Sequence, residues 1–501
     1  MTTKKEKINK LLANLDKCDD FFKNPEKNTL TNRKMTKDWL KIFTEICKEN
    51  SKKNIKEKIN IPVEIILNII KKTTPDNLSN ICSQNKHFSE ICKNNFNEIA
   101  KFYLDKYEVN YKDPSNYIYT FRKKYKYGNS WDYRSLFKLY MKNYYKKEIL
   151  CNRRITSFPI YPNMEVFRCE NNELTSFPIQ PKMIHFNGIN NQLTSFPVQP
   201  EMEEFHGENN QLTSFPIQPK MRYFYGDNNQ LTSFPIQPKM VIFQGVNNQL
   251  TSFPIQPEMV IFQGENNQLT SFPVQSKMEI FNGNNNQLSS FPIQPQMELF
   301  RGENNQLTSF PIQPKMRYFY GDNNQLTSFL IQPEMIEFFG RDNQLTSFPI
   351  QPEMKAFNGQ NNQFSVFPIQ PKMETFIGNN NQLSVFPTQP KMYIFRGENN
   401  QLRSFPVQPK MKEFSGSNNQ LTYFPKQPEM KLFYGNNNQL TSFPIQPKME
   451  KFIGYNNNFT SFQEQPKMIF FQYREPSFNE ENQISEYEFY HEDSDEYFDI
   501  D

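Results

Sequence analysis

Histidine and cysteine are the residues of this 501-residue chain best suited to chemistry. There are four of the first and six of the second, and they are scattered. His185 and His206 stand 21 residues apart with Glu204 between them. Two imidazoles and a carboxylate in one neighbourhood are the raw material of a metal site. At two repeats' separation on a surface, however, solvent-exposed histidines are the plainer expectation, and no metal ligand is assigned. Cys18 and Cys47 leave a tetrahedral zinc site two ligands short, and no histidine lies near them. Two buried thiols in helices are the alternative there. The chain has no Gly-rich phosphate loop and no nucleophile elbow. A catalytic constellation is therefore not expected, and neither is a cofactor.

The elements that would position any site repeat. From Ile155 through Leu174, Leu193 and Leu212 to Leu440 and Phe459, a Leu-type residue recurs every 19 residues. A fixed period over about 300 residues implies a solenoid of stacked units, not a globular enzyme core. Around Phe186 the residues alternate inward and outward, as in a short strand. The Asn that follows can satisfy backbone groups, repeated as a ladder down the stack. Ser195-Phe196-Pro197-Val198-Gln199-Pro200 carries two prolines three apart, so it should be an extended return and no helix fits in the unit. Gly188, Gly207, Gly226, Gly245 and Gly264 hold the slot two residues after the strand Phe. Two Phe per unit, such as Phe186 and Phe196, should fill that space as two aromatic columns. Cys169 and Tyr473 replace Gly at the two ends, which reads as capping.

Specificity must come from the variable positions. Those flanking the strand Phe include His206, Tyr223, Tyr225, Arg301, Tyr318, Tyr320 and Phe339, a mixture of aromatic and Arg residues typical of protein interfaces. The plainer alternative is β-branched filler on a sheet surface. Residues 221–227 recur verbatim as 316–322, so block duplication accounts for part of the sharing. Residues 151–474 carry a net charge near +1. That leaves no basic stripe for phosphates, so nucleic acid is not an expected partner.

The first 150 residues differ. They show no repeat and a net charge of +14. Apolar residues at 65, 66, 69 and 70 make one helix face after Pro62. Pro75 opens a second helix with Leu78 and Ile81, and a third runs through Phe88, Ile91 and Cys92. Residues 475–501 hold 11 acidic side chains and no Lys or Arg, which predicts a disordered, solvating tail. Six cysteines without a signal peptide imply a reducing, intracellular setting. No apolar run reaches the length of about 18 needed to span a membrane.

Two resemblances follow from these residues. The unit Met183-Ile184-His185-Phe186-Asn187-Gly188-Ile189-Asn190-Asn191-Gln192-Leu193 resembles a leucine-rich repeat, and its tail Leu-Thr-Ser-Phe-Pro resembles the short repeats of bacterial effectors. The period is one residue short of the usual minimum of about 20, and Phe replaces Leu in two slots. Some such effectors carry a ligase domain with a reactive Cys, but no such domain follows the repeats here. Ile61-Pro62-Val63-Glu64-Ile65-Ile66, then Asp76-Asn77-Leu78 and Cys82 to Phe88, resembles an F-box, with Ile61 for Leu and Phe96 where Trp is common. A shorter stretch, Cys18 to Cys47, resembles the two-cysteine adaptor segment of large DNA-virus proteins. The Lys-, Asn- and Ile-rich composition suits an AT-rich giant-virus genome.

The expected fold is α+β. A Lys-rich helical segment spans 1–58, with the two-cysteine segment at 18–47. An F-box-like region covers 59–104 and a helical linker and cap 105–150. A parallel-β leucine-rich-repeat solenoid of about 17 units, without repeat helices, covers 151–474, and the acidic tail 475–501. The resemblance implies a monomeric giant-virus substrate receptor in the host cytoplasm. Ile61, Pro62, Ile65, Ile66 and Leu78 would dock a Skp-type adaptor of a cullin ubiquitin ligase. The first, second and fourth of these, with Ile65, should then form an exposed apolar patch. The solenoid would hold an unknown target protein. The alternative is a non-catalytic interaction or structural protein unconnected with ubiquitin.

Overall fold

The computed structural model describes residues 63–83, 86–107, 109, 133–151 and 155–473. It also describes the strand pairs Lys27–Asn28 with Arg33–Lys34 and Lys126–Tyr127 with Ser130–Trp131. The two-cysteine segment is otherwise outside the described residues, as are Ile61, Pro62 and the tail 475–501. Where residues 1–58 are described, they form a short antiparallel pair, not the expected helix. The chain forms two compact units, Met1–Met297 and Glu298–Asp501.

The second half of the chain and much of the first is a solenoid built from three-residue strands. In the first unit these run from Glu148–Leu150 and Val166–Arg168 to Ile280–Asn282. In the second they run from Leu299–Arg301 to Phe470–Gln472. Within each unit successive strands pair in parallel and in register, so Phe186 lies beside Phe205 and Phe319 beside Phe338. From Val166–Arg168 to Lys451–Ile453 each rung buries its central Phe. In His185–Asn187 the first residue is exposed, the last is half-buried and Phe186 between them is buried completely. Asn190 then takes a left-handed conformation (φ 55°), one that Asn tolerates better than most residues. The two prolines of Pro197-Val198-Gln199-Pro200 exclude helix, so the chain returns extended.

The core is aromatic. Phe186 and Phe205 stack at 5.2 Å with planes 8° apart, while Phe196 meets Phe186 edge to face at 4.6 Å. The glycine slot is a volume requirement. A Cβ on Gly264 would overlap the ring of Phe262, which fills the space beside it.

Two buried amide ladders close the polar account. Asn210 donates to Gly207 O at 3.1 Å and to Gly188 O in the preceding rung at 2.9 Å, and its Oδ1 accepts from Leu193 N–H at 2.9 Å. The Asn ladder matches the expectation. The glutamine ladder was not anticipated. Gln218 is fully buried; its Oε1 accepts from Gln199 N–H at 2.7 Å and its Nε2 donates to Pro197 O at 3.0 Å. Each glutamine thus serves two backbone groups that the helix-free return leaves without partners.

The helical part precedes the solenoid. Helices α1 (Val63–Lys71), α2 (Pro75–Cys82) and α3 (Lys86–Asn94) fall where the sequence places them. Helices α4 (Phe96–Lys106) and α5 (Tyr133–Tyr144) pack beside each other. Tyr103 on α4 donates to Ile70 O at 2.6 Å and so fastens α1. Tyr140 on α5 stacks on Tyr161 at 5.1 Å and donates to Ile160 O at 2.6 Å, which seats the helices on the first repeat.

Two expectations are corrected here. The cysteines in the described region are not free thiols: Cys82 pairs with Cys92, and Cys151 with Cys169. The second pair has a simple origin. Ile149 pairs with Phe167, so the residues two places on occupy neighbouring glycine slots, with Cα atoms 4.6 Å apart. Ile66 is fully buried, so it does not belong to an exposed patch, and Leu78 is 4% exposed. Amphipathic periodicity marks one apolar face; here the helical unit itself covers that face at these two residues.

At the other end Phe471 and Tyr473 are 38% and 39% exposed, against zero for Phe433 in the same column as Phe471. The atypical residues therefore coincide with the end of the described stack.

Two substitutions test this packing. Gly264→Leu should lower stability by more than the ~1–3 kcal/mol of ordinary overpacking, because the ring that must move is itself stacked on both sides. Gln263→Leu, on the sheet face, should change it by no more than about 0.5 kcal/mol. A urea midpoint unchanged by Gly264→Leu would show that the glycine slot faces solvent and that the inward and outward positions are reversed. Gln256→Met keeps the shape but orphans Gln237 N–H and Pro235 O, at about 1–3 kcal/mol each. A melting temperature unchanged by that replacement would show that the ladder is dispensable.

Candidate protein-interaction surface

Strand alternation continues past the glycine. Each rung therefore presents three outward columns on its sheet face: the residue before the strand Phe, the residue after it, and the residue after the Gly. The first two columns are the ones read from sequence. The third was missed, because the glycine hides the alternation. It holds Glu208, Asp227 and Glu265 in the first unit and Asp322 and Arg341 in the second.

The first unit brings His206, Tyr223 and Tyr225 together. Glu204 lies between the two histidines: its Oε2 is 2.9 Å from His185 Nδ1 and its Oε1 2.7 Å from His206 Nε2. His185 and His206 are on neighbouring strands, not two repeats apart. The other nitrogen of His206 is 3.5 Å from Glu208 Oε1, and its ring stacks on Tyr225 at 4.4 Å. A ring with a carboxylate at each nitrogen makes both contacts as a donor only when doubly protonated. Burial opposes the charge on His206, but hydrogen bonds with Glu208 and Glu204 outweigh it and raise its pKa above the usual histidine value. Burial likewise works to raise Glu204, yet the bonds from both histidines bring it below the usual carboxylate range. Arg222 sits 5.2 Å over the ring of Tyr223. Asp227 accepts from Val246 N–H at 2.8 Å and Gln244 Nε2 at 2.6 Å, and burial lifts its pKa.

The second unit gathers Arg301, Tyr318, Tyr320 and Phe339. Arg301 lies 5.3 Å over Tyr320, whose ring stacks on Phe339 at 5.1 Å. Tyr320 donates to Glu337 Oε2 at 3.1 Å, and burial followed by the Glu337 charge pushes its pKa well above the ordinary phenol value. Arg317 covers Tyr318 at 5.5 Å. Asp322, 7% exposed, holds the side chain of Arg341 at 2.6 Å and its N–H at 2.7 Å. The duplicated segments 221–227 and 316–322 thus carry the same residues into different surroundings. Tyr225 faces a histidine, and Tyr320 faces an arginine and a phenylalanine.

Among the described residues no cluster of three His, Cys, Asp or Glu side chains is arranged to hold a metal ion, and no helix is long and apolar enough to cross a membrane. On the helical side, Val63 is 36% exposed while Ile66 and Leu78 are buried. Of the docking set read from sequence, Ile66 and Leu78 are thus covered by the helical unit itself.

The structure is similar in fold to solved leucine-rich-repeat proteins. YopM from Yersinia enterocolitica WA-314 is 18% identical, with 71% of this chain and 98% of that chain covered and a TM-score of 0.45. YopM, a leucine-rich effector protein from Yersinia pestis, is 21% identical, with coverage of 70% and 98% and a TM-score of 0.44. A leucine-rich-repeat protein of Leptospira interrogans is 16% identical, with coverage of 60% and 80% and a TM-score of 0.41. No protein family compared with the chain matches it, and no curated protein does. The 19-residue unit of strand, left-handed Asn and extended return makes the chain a parallel-strand leucine-rich-repeat solenoid.

The His206 network predicts a pH signature. A raised histidine pKa stabilises the fold fully below the unfolded value near 6.5 and loses that contribution as pH rises through the folded value. The lowered Glu204 works in the opposite sense, losing its contribution as pH falls through its own folded value. The network should therefore contribute most in weakly acidic solution. The melting temperature lost in His206→Gln should be larger at about pH 6 than at about pH 8.5. An equal loss at both, or an NMR titration placing His206 below 6.5, refutes the assignment.

Proposed function

We propose that the protein is a non-catalytic receptor whose solenoid face holds a target protein. The observation that supports this most directly is the face itself. Its half-buried Tyr, Arg, His and Phe side chains are pre-ordered by stacking and ion pairs, as in the centre of a protein interface. Backbone groups on these strands are already paired on both sides, so recognition falls to side chains. The target would be a protein and not a nucleic acid, since residues 151–474 are close to neutral.

The finer reading is a giant-virus F-box receptor acting with a host cullin ligase in the host cytoplasm. It is supported by the opening Ile61-Pro62-Val63-Glu64-Ile65-Ile66 and by three successive short helices on the amino-terminal side of a leucine-rich-repeat solenoid. A second reading, an interaction protein outside the ubiquitin system, is favoured by the burial of Ile66 and Leu78. Ile66→Asp would unfold the helical unit and separate nothing. Ile61→Asp and Val63→Asp are the informative changes, since Val63 is exposed. Full-length protein should bind a purified Skp-type adaptor in surface plasmon resonance, and the double variant should lose it with an unchanged melting temperature. No binding by the unaltered chain would leave the second reading.

A further inference from the structure

The extended returns of the second unit depart from the repeat where nothing in the core requires it. Ser holds the slot before the second phenylalanine in every rung from Ser176 to Ser347, but Val366, Val385 and Tyr423 hold it later. Arg403 stands where every other rung has Thr or Ser, and Lys426 where the rungs from Ile179 to Val407 have Ile, Val or Thr. These side chains face outward: Val385 is 54% exposed, Val407 46% and Tyr423 55%. Charge gathers in the same place. The returns 383–391, 402–410, 421–429, 440–448 and 459–467 carry Lys391, Arg403, Lys410, Lys426, Lys448 and Lys467 against Glu429 and Glu464. Of the six cations Lys448 is ion-paired, with Glu429 at 2.5 Å. The other five are exposed, and their side chains have no hydrogen-bond or ion-pair partner among the described residues.

We infer that residues 475–501 of the same chain dock on this surface, their carboxylates on its free cations and their aromatic rings on Val385, Val407 and Tyr423. The inference is independent of the reading of the sheet face as a protein-binding surface. Complementarity selects the occupant. Residues 475–501 hold 11 acidic side chains and no Lys or Arg, and Tyr487, Phe489, Tyr490, Tyr497 and Phe498 stand among the acids. Five unpaired cations on neighbouring rungs, with apolar side chains between them, match that composition in both charge and hydropathy. Reach permits it. Lys391 and Lys467 are four rungs apart. That is about 19 Å at ~4.8 Å per rung, and an extended chain of this length reaches up to about 90 Å. Covalent connection favours the chain's own segment over the same segment of a second copy, because a short tether holds it at an effective concentration in the millimolar range. An anionic lipid surface would match the cations as well, but lacks that advantage.

The test uses the full chain. A carbodiimide, which joins a carboxylate to an amine in direct contact, should link residues 475–501 to Lys391, Lys410 and Lys426 and leave the exposed Lys239 of the first unit unlinked. Mass spectrometry should show these links lost at about 0.5 M salt, where charges are screened within a few ångströms. In an equal mixture of 14N- and 15N-labelled protein, links of mixed isotope would place the segment on a second copy and overturn the inference. Links spread evenly over the lysines, Lys239 included, overturn it too. A fluorescein-labelled 475–501 peptide supplies the second readout. It should bind saturably to full chain whose 11 acids in that segment are replaced by Asn and Gln. It should bind about tenfold more weakly to the unaltered chain, whose own segment competes. Adding Lys391→Glu, Lys410→Glu and Lys426→Glu to the neutralised chain should abolish binding with an unchanged melting temperature. Val385→Ser with Tyr423→Ser restores the repeat's own residues, so it keeps the fold, and should weaken binding about tenfold. Equal affinity for neutralised and unaltered chains, or a dissociation constant unmoved by the three charge reversals, overturns the inference. So does binding of phosphatidylserine vesicles that the three reversals abolish while peptide binding persists.

Discussion

The structure depends on how one phenylalanine per rung is accommodated. The ring on each strand lies over the glycine two residues later and occupies the space where a side chain would be. With that slot empty, the ring lies almost parallel to its neighbour in the next rung, near 5.3 Å, and meets the second phenylalanine edge to face. Rings at this spacing transmit register. Each rung sets the tilt of the next, and the interplanar angle stays close to 10° along the stacks within each unit, opening to 31° only at the final pair Phe452–Phe471. Offset stacking and edge contacts are the arrangements the aromatic quadrupole favours. Filling the slot forces a ring out of its column and disturbs two neighbours at once.

The polar half of the scaffold answers a different constraint. A 19-residue coil without helix leaves carbonyls and amides in its turns and its proline-bound return, where water is excluded. Asn210 and Gln218 show the remedy: a side-chain amide that accepts from one rung and donates to backbone of that or an adjoining rung. These bonds cross rungs, so the ladders exist only in the stack. A single unit would have neither the aromatic columns nor the amide ladders, which is why such repeats are stable only in series. Every inward position is committed to this task, so variation is confined to the outward columns, and recognition is confined with it.

The outward columns are not loose decoration. His206 is held by two carboxylates and a tyrosine ring, and Tyr320 by a carboxylate, an arginine and a phenylalanine. Side chains ordered in advance lose less entropy on binding, so a face of this kind can serve as an interface without rearrangement. The same fixation gives the pH response of the His206 network.

Much of this was legible in the residues themselves. The period, the inward Phe186 and Phe196, the empty Gly264 slot, the Asn ladder and the absence of repeat helices follow from spacing and backbone chemistry within one unit. The third outward column was readable too, by carrying the alternation through the glycine. Other features were decided by the tertiary structure. Gln199 and Gln218 look like exposed polar residues between prolines, yet they are fully buried, because their hydrogen-bond partners belong to neighbouring rungs. Cys151 and Cys169 form a pair because the first strand sets them in adjacent slots. Periodicity marks Ile66 and Leu78 as apolar positions but does not say whether a partner or the chain itself covers them. Here the packing of the helical unit covers them. Local chemistry fixes what one rung can do; which groups meet across rungs is a property of the stack.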